Sequence, residues 1–394
     1  MKKLVLVVLS VLVVLASYLL GSFNSRKVVS LPDAQWTDSS DAAQAWREFT
    51  ASLEAGGARV FSVAQTERER LEGLQYLSQL AAASLEMKVT KGDATRPAFT
   101  DWMSDYRKFL GDSPDAIYHS AQLSGDHRYE VSGNRRDAEY LSFSLYGRQI
   151  NGWNRAAASL STKDMRLDAQ GNFRIIISEK KPEQADVDWL PLEDDIHMVM
   201  VRQYYHGREG KSVAEFTIRN LAAPEYAQTN EDQLALAFRK AAGFFGDTVD
   251  GAIALSAMLS DAPNDIDPPP SYSADFGGVF YPTSDNEYYG NWFSLGVDEA
   301  LVIEGAVPDA PYWGVSLQNR WMQSLDYLHH QSALNDHQIE TSNGRYRIVV
   351  SPRRPPSGNW LDTAGMREGL LSIRYQQSEQ SEMPSVKLVK FSEL

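Results

Sequence analysis

The sequence predicts a mainly β protein with α additions: two related β lobes behind a helical N-terminal region and an N-terminal membrane helix. Three observations carry that expectation. A long segment occurs twice, strand-period alternation recurs within both copies, and an apolar run opens the chain. Tyr129-Glu-Val-Ser-Gly133 lies over Leu301-Val-Ile-Glu-Gly305. Without a gap, Gly133, Asp137, Ala138, Tyr140, Ser144 and Leu145 then fall on Gly305, Asp309, Ala310, Tyr312, Ser316 and Leu317. Gly171-Asn-Phe-Arg-Ile-Ile-Ile-Ser178 meets Gly344-Arg-Tyr-Arg-Ile-Val-Val-Ser351, and Asp188-Trp189-Leu190 meets Asn359-Trp360-Leu361. Arg202 meets Arg374, and its distance from Gly133 equals that of Arg374 from Gly305. A period of about 172 residues is too long for a solenoid and suits two lobes.

Taken in order, the chain opens with Met1-Lys2-Lys3 and the apolar run Leu4 to Leu20, whose polar members are Ser10, Ser17 and Tyr18. Such a run is at the short end of what crosses a bilayer and longer than many signal-peptide cores. Residues 1–27 therefore read as a signal anchor, with a signal peptide cleaved after Ala16 as the alternative. The anchor makes the inner membrane a partner through residues 4–20 and leaves the body periplasmic or extracellular. Cleavage would make it a secreted protein. Residues 28–100 read as a linker and helical region. A helix starts near Asp41, keeps helical spacing through Trp46, Phe49 and Leu53, and is expected to stop at Gly56-Gly57. Thr66-Glu-Arg-Glu69 has the form of a capping box ahead of a stripe of Leu71, Leu74, Leu77 and Leu80.

From Trp102 the pattern becomes that of strands, and residues 101–228 form the first β lobe. Tyr140 to Tyr146 alternates, with Leu141, Phe143 and Leu145 on one face and Ser142 and Ser144 on the other, predicting a half-buried strand. Phe173 to Ile177 and His197 to Tyr205 follow, the former after a turn at Asp168 to Gly171. Residues 229–274 read as a helical insert, expected to break at Gly246-Asp247, and a Pro-rich connector around Pro268-Pro-Pro270. Residues 275–394 form the second lobe, with strands at Ala300 to Ile303, Tyr312 to Leu317, Tyr346 to Val350 and Leu370 to Tyr375. Asn343-Gly344 is a hairpin signal, because both central residues of that turn take positive φ.

The net charge of −14 argues against nucleic acid or an anionic membrane surface as a main partner, so no nucleic-acid partner is expected. Without cysteine the chain has no disulfide, no thiolate metal site and no thiol nucleophile. His-Glu-x-x-His, Gly-x-Ser-x-Gly, Gly-x-x-x-x-Gly-Lys and Gly-x-Gly-x-x-Gly are all missing. On a strand, His329 and His337 would share a face but stand too far apart for one ion, unless a turn joins them. No metal and no cofactor are expected.

The second copy, from Leu301-Val-Ile-Glu-Gly305 through Pro308, Tyr312-Trp313, Asn319-Arg320, Leu325-Asp326-Tyr327 and Asn359-Trp-Leu-Asp-Thr363 to Gly365 and Arg374, resembles the bacterial domain-of-unknown-function family 1214. Gly111-Asp-Ser-Pro-Asp115 with Tyr118, and Tyr140-Leu-Ser-Phe-Ser-Leu-Tyr-Gly147, resemble the segment that opens the first lobe in long members. The resemblance spans roughly residues 101–210 and 275–380. It implies jelly-roll-like β-sandwich lobes and brings no activity.

Comparison of the copies sorts the candidate residues. Gly133/Gly305, Trp189/Trp360 and Arg202/Arg374 are alike in both and are assigned to the shared fold, the arginines pairing with a carboxylate or loop carbonyls. Polar residues specific to one copy are the candidates for ligand binding. They are Asn319, Arg320, Asp326, Asn359 and Asp362 in the second copy and Asp112, Asp115 and Tyr118 at the opening of the first. A third cluster, Asp285, Asn286, Tyr288 and Trp292, mixes carboxylate, amide and aromatic groups on a turn-rich segment, as sites for polar ligands do. Three functions follow as expectations. The first is an envelope protein binding a small or carbohydrate-like ligand. The second is a hydrolase or lyase with Asp115, Asp285 or Asp362 as acid or base and Arg320 stabilising negative charge. The third is an assembly protein docking through its helices.

Overall fold

The computed structural model describes residues 38–148, 154–222, 229–266, 281, 283, 285–378 and 381–394. The apolar run 4–20 and residues 267–273 of the Pro-rich connector lie outside the described residues. No helix among the described residues is long and apolar enough to cross a membrane.

Two helices lead. α1 (Asp41–Val63) runs straight through Gly56-Gly57, contrary to the expected stop there. A Cβ at Gly56 would stand 2.7 Å from the Phe245 ring, so this glycine permits close packing of helices. α2 (Glu67–Leu85) starts where the capping signal places it, the Thr66 hydroxyl accepting from the Glu69 amide at 3.1 Å. The Glu69 carboxylate reaches back to the amide of Gln65 at 2.6 Å. The leucine stripe divides: Leu77 and Leu80 are buried, whereas Leu71 and Leu74 are exposed, because Gly73 and Tyr76 share the packed face.

The first lobe follows as β1 (Thr100–Met103), β2 (Ala116–Gln122), β3 (Tyr129–Asn134), β4 (Tyr140–Arg148), β5 (Asn154–Ser161), β6 (Asn172–Ser178), β7 (Asp188–Pro191), β8 (Met198–Tyr204) and β9 (Glu215–Asn220). Helix α3 (Glu231–Ser260) separates the lobes, opened by an Asn230/Gln233 capping box. It does not break at Gly246, because Phe244, Phe245, Val249 and Ala252 around that glycine are buried in the core, and packing of the apolar face outweighs weak local propensity. The second lobe contains β10 (Asn286–Ser294), β11 (Glu299–Ala306), β12 (Tyr312–Gln318), β13 (Ala333–Asn335), β14 (Thr341–Ser342), β15 (Arg345–Ser351), β16 (Asn359–Asp362), β17 (Glu368–Gln376) and β18 (Ser385–Lys390). The β14–β15 turn has φ of 52° at Asn343 and 72° at Gly344, as the Asn-Gly pair demands.

Each lobe has two sheets, and the orders match. The first has β1-β2-β8-β4-β5 and β7-β6-β3-β9; the second has β10-β17-β12-β13 and β15-β11-β18, with β14 and β16 both on β15. β6–β7 and β15–β16 are the corresponding parallel pairs. Register is kept too: Ser142 faces Arg202 and Gly314 faces Arg374. The tryptophans mark the same bond twice, Trp189 Nε1 donating to Ser178 O and Trp360 Nε1 to Ser351 O, both at 3.0 Å.

Each pair of sheets encloses its own apolar core, around Phe143, Ile175 and Val199 in one lobe and Trp313, Ile348 and Leu371 in the other. A third cluster joins the lobes and helices, with Tyr76, Phe245, Trp102, Tyr118, Met200, Tyr312 and Leu370 among its members. This third layer changes the expectation for β4. Alternation predicts a half-buried strand, yet Tyr140 to Gly147 are all buried, since the face of Ser142 and Ser144 is covered as well.

Candidate functional site

The site is built by the period-two alternation of β8 and β17. Val199 and Val201 enter the first core, and Leu371 and Ile373 the second. The intervening residues, Met200, Arg202 and Tyr204 on β8 and Leu370, Ser372 and Arg374 on β17, face a shared space between the lobes. Arg202 and Arg374 are only 5% and 8% exposed. Each has a tyrosine in register on the neighbouring strand: Tyr118 opposite Arg202, and Tyr288 opposite Arg374.

The two arginines repeat one bonding pattern, each reaching into the segment that leads the other lobe. Arg202 donates to the carbonyl of Tyr281 and, at 3.2 Å, to the Tyr146 hydroxyl. Arg374 donates to the carbonyl of Gly111 and, at 3.4 Å, to that of Asp112. Two tyrosine–carboxylate bonds cross the lobes in the same reciprocal way. Tyr140 donates to Asp285 at 3.0 Å, and Tyr312 donates to Asp115 at 2.7 Å. Asp115 also accepts from Asn335 at 2.9 Å. Burial pushes the pKa of Asp115 up, and the bonds from Asn335 and Tyr312 offset only part of that rise. The Tyr118 hydroxyl accepts from the Ser113 amide at 3.0 Å, and that of Tyr288 from Thr283 at 3.3 Å. Thus Asp115-Ala-Ile-Tyr118 and Asp285-Asn-Glu-Tyr288 are one motif used twice.

Between these groups lies a cavity of about 70 Å³, walled by Arg202, Arg374, Tyr118, Tyr204, Tyr288 and Gln318 with Met200, Met322 and Leu370. A cavity needs roughly 10–15 Å³ to hold a single water, so this one has room for a small molecule. Gln318 has no exposed surface, and neither its amide oxygen nor its nitrogen has a hydrogen-bond partner. The indole N–H of Trp102, also on the wall, lacks one too. Among the described residues, the hydrogen-bond partners of both guanidiniums are carbonyl and hydroxyl oxygens. Asp112 offers Arg374 its backbone carbonyl and turns its carboxylate to Ser324, at 2.9 Å to the amide and 2.5 Å to the hydroxyl. Arginine stays charged in proteins, so two positive charges border the cavity.

Of the twelve candidates from sequence, Tyr118 and Tyr288 line this cavity. Asp115 and Asp285 make the bonds between lobes just described, and Asp112 binds Ser324. Asn286 donates to the Tyr288 hydroxyl at 3.2 Å. Asn319 and Arg320 do not line the cavity. The Asn319 side chain accepts from the amides of Trp321 and Gln323 at 3.0 and 3.1 Å, closing a tight turn. Arg320 pairs with Glu69 at 3.1 Å and stands 5.0 Å over the Trp292 ring, fastening α2 to the second lobe. The side-chain amide of Asn359 donates to the carbonyls of Glu340 and Arg347 at 2.8 and 2.9 Å. Asp326 and Asp362 hold His329 and His330, each at 2.8 Å.

Sequence reasoning missed most of the wall, including Gln318, Tyr204 and the two arginines; the arginines were assigned to scaffold because they recur, and they do pair with loop carbonyls as expected. The shared Asp-x-x-Tyr spacing was the signal that could have paired the two lead segments. Other clusters exist among the described residues. A polar groove of about 280 Å³ is lined by Ser159, Ser161, Asp164, Asp285 and Gln377, and Gln377 closes part of it by donating to Ser161 at 2.7 Å. His206 lies 2.9 Å from Asp336 and stacks on His337 at 3.7 Å, so tertiary structure gives His337 a histidine neighbour that spacing did not foresee.

Comparison with known proteins gives the following. Residues 117–208 and 278–380 match the family model described as a protein of unknown function, DUF1214. Among solved structures, the chain is similar to an uncharacterised protein from Burkholderia cenocepacia, at 29% identity and a TM-score of 0.82, over 90% of this chain and 98% of that one. A Vibrio parahaemolyticus protein is matched over 88% of this chain and 100% of its own, at 13% identity and a TM-score of 0.47. No curated protein matches the chain.

Proposed function

Because the chain belongs to the DUF1214 family, whose domain it carries as two related copies, and membership brings no reaction with it, we propose that the protein binds a small polar molecule in the cavity between its lobes without turning it over. One observation carries this reading. The amide of Gln318 is fully buried, faces the cavity and has neither of its polar atoms bonded. An unsatisfied buried polar group costs about 1–3 kcal/mol, and a bound polar molecule would remove that cost. The cavity volume favours a compact ligand over an oligosaccharide. As for the hydrolase or lyase alternative, Asp115, Asp285, Asp362 and Arg320 do not line this cavity; Asp115 lines a small pocket with Tyr312 and Arg374, and Asp285 the polar groove.

The finer expectations belong to the same proposal: jelly-roll-like lobes, a membrane helix over residues 4–20 and a body outside the inner membrane. Carbonate extraction tests the anchor, since a chain released into the wash would not be held by residues 4–20. For the binding reading, thermal melts of the full chain with a panel of small neutral and charged polar solutes are compared with melts of Gln318→Met. Some solutes are expected to raise the melting temperature of the wild type and leave that of Gln318→Met unchanged, while Gln318→Met alone is the more stable protein. Solutes that shift neither protein, or both equally, would remove the cavity from the account.

A further inference from the structure

The chemistry of the wall narrows the ligand, on the premise that the cavity binds one. Two guanidiniums, both more than nine-tenths buried, border a space of about 70 Å³. A buried charge is costly, and carbonyl dipoles, tyrosine hydroxyls and, for Arg374, the nearby Asp112 carboxylate offset it only in part. Here there are two of the same sign, on equivalent strand positions of two lobes, each with its own tyrosine in register. The planar fork of arginine matches the two oxygens of a carboxylate. On the same wall, Gln318 presents a free donor and a free acceptor, and Met200, Met322 and Leu370 supply apolar surface.

We propose that the cavity takes a small dicarboxylate, with one carboxylate at Arg202, the other at Arg374, and a short, partly apolar spacer beside Gln318. The duplication explains the two-headed form. Each copy contributes one arginine and one tyrosine, so the ligand meets the same chemistry at both ends. Neutralising both charges removes the repulsion between them as well as the cost of burying each. Tyr118 and Tyr288 keep their hydroxyls occupied by backbone amides, which holds the rings as walls beside the arginines.

Calorimetric titration of the full chain in mild detergent tests this with malonate, malonamide, acetate and inorganic phosphate at matched ionic strength. Malonate is expected to bind, acetate at least tenfold more weakly, and malonamide not at all. Arg202→Gln and Arg374→Gln should each weaken malonate at least tenfold. Both arginines tie down loop carbonyls, so a second variant guards against misfolding. Gln318→Glu supplies a carboxylate from within; it should raise the melting temperature of the unliganded chain and abolish malonate binding. Malonamide binding as tightly as malonate, phosphate binding in preference to it, or Gln318→Glu leaving its affinity unchanged would overturn the dicarboxylate while leaving a ligand-binding cavity. If no small polar probe binds the wild type, the cavity reading and this inference fail together.

Discussion

At the scale of single residues, the neighbours Gln318, Asn319 and Arg320 show how little adjacency in sequence says about role. Gln318 ends β12 on the face that looks between the lobes, while Asn319 turns inward to close a loop and Arg320 reaches the helical layer. Polar residues specific to the second copy looked like a ligand site because loops that bind ligands are polar. So are loops that must satisfy their own buried amides. Asn319→Ala strands two amides in a site 5% exposed, and is expected to lower stability by about 2–3 kcal/mol in urea unfolding. The same substitution should leave the affinity of any cavity ligand unchanged. A loss below about 0.5 kcal/mol, within the range of ordinary surface substitutions, would show that the turn does not need the amide.

At the scale of elements, glycine separates what local sequence says from what packing decides. Gly56 in α1 and Gly246 in α3 both read as helix breaks, and neither breaks its helix. Their surroundings differ. A Cβ at Gly56 would meet the Phe245 ring at 2.7 Å and Leu77 at 3.3 Å, whereas one at Gly246 would meet nothing within 4 Å. Gly56→Ala is therefore expected to destabilise by about 1–3 kcal/mol through overpacking. Gly246→Ala should stabilise by about 0.5–1 kcal/mol through helix propensity. Paired thermal melts check both, and equal shifts of one sign would refute the contrast. The capping signals at Thr66 and the Asn343-Gly344 turn were legible because their chemistry is local: a hydroxyl on a first-turn amide, and two residues with positive φ.

At the scale of the whole molecule, the duplication does more than repeat a lobe. It supplies both halves of an interface: Tyr140 to Asp285 and Tyr312 to Asp115, Arg202 to Tyr281 and Arg374 to Gly111. The apolar cluster that includes Trp102, Tyr204, Trp321 and Phe245 draws on both lobes and on α3. Neither lobe can then unfold without exposing core of the other. Scanning calorimetry is expected to show one cooperative transition for the described body. Tyr140→Phe should lower that transition by about 1.5 kcal/mol, the lower end for a bond to a partly exposed carboxylate, without splitting it. Two separate transitions would mean that the lobes fold independently.

The sequence by itself determined the mainly β class, the two related copies, the strands β4, β6, β8, β11, β12, β15 and β17, and the local caps and turns. Those features rest on periodicity and nearest-neighbour chemistry, which a linear string records. Tertiary structure alone decided which face of β8 and β17 would be open to the cavity. It also decided that Ser142 and Ser144 would be covered, and that arginines recurring in both copies would stand on one cavity rather than serve only as scaffold. The reason is geometric. Alternation says that a strand has two faces, but what covers each face is set by how the second sheet, the other lobe and the helices pack, and residues far apart in sequence meet only there.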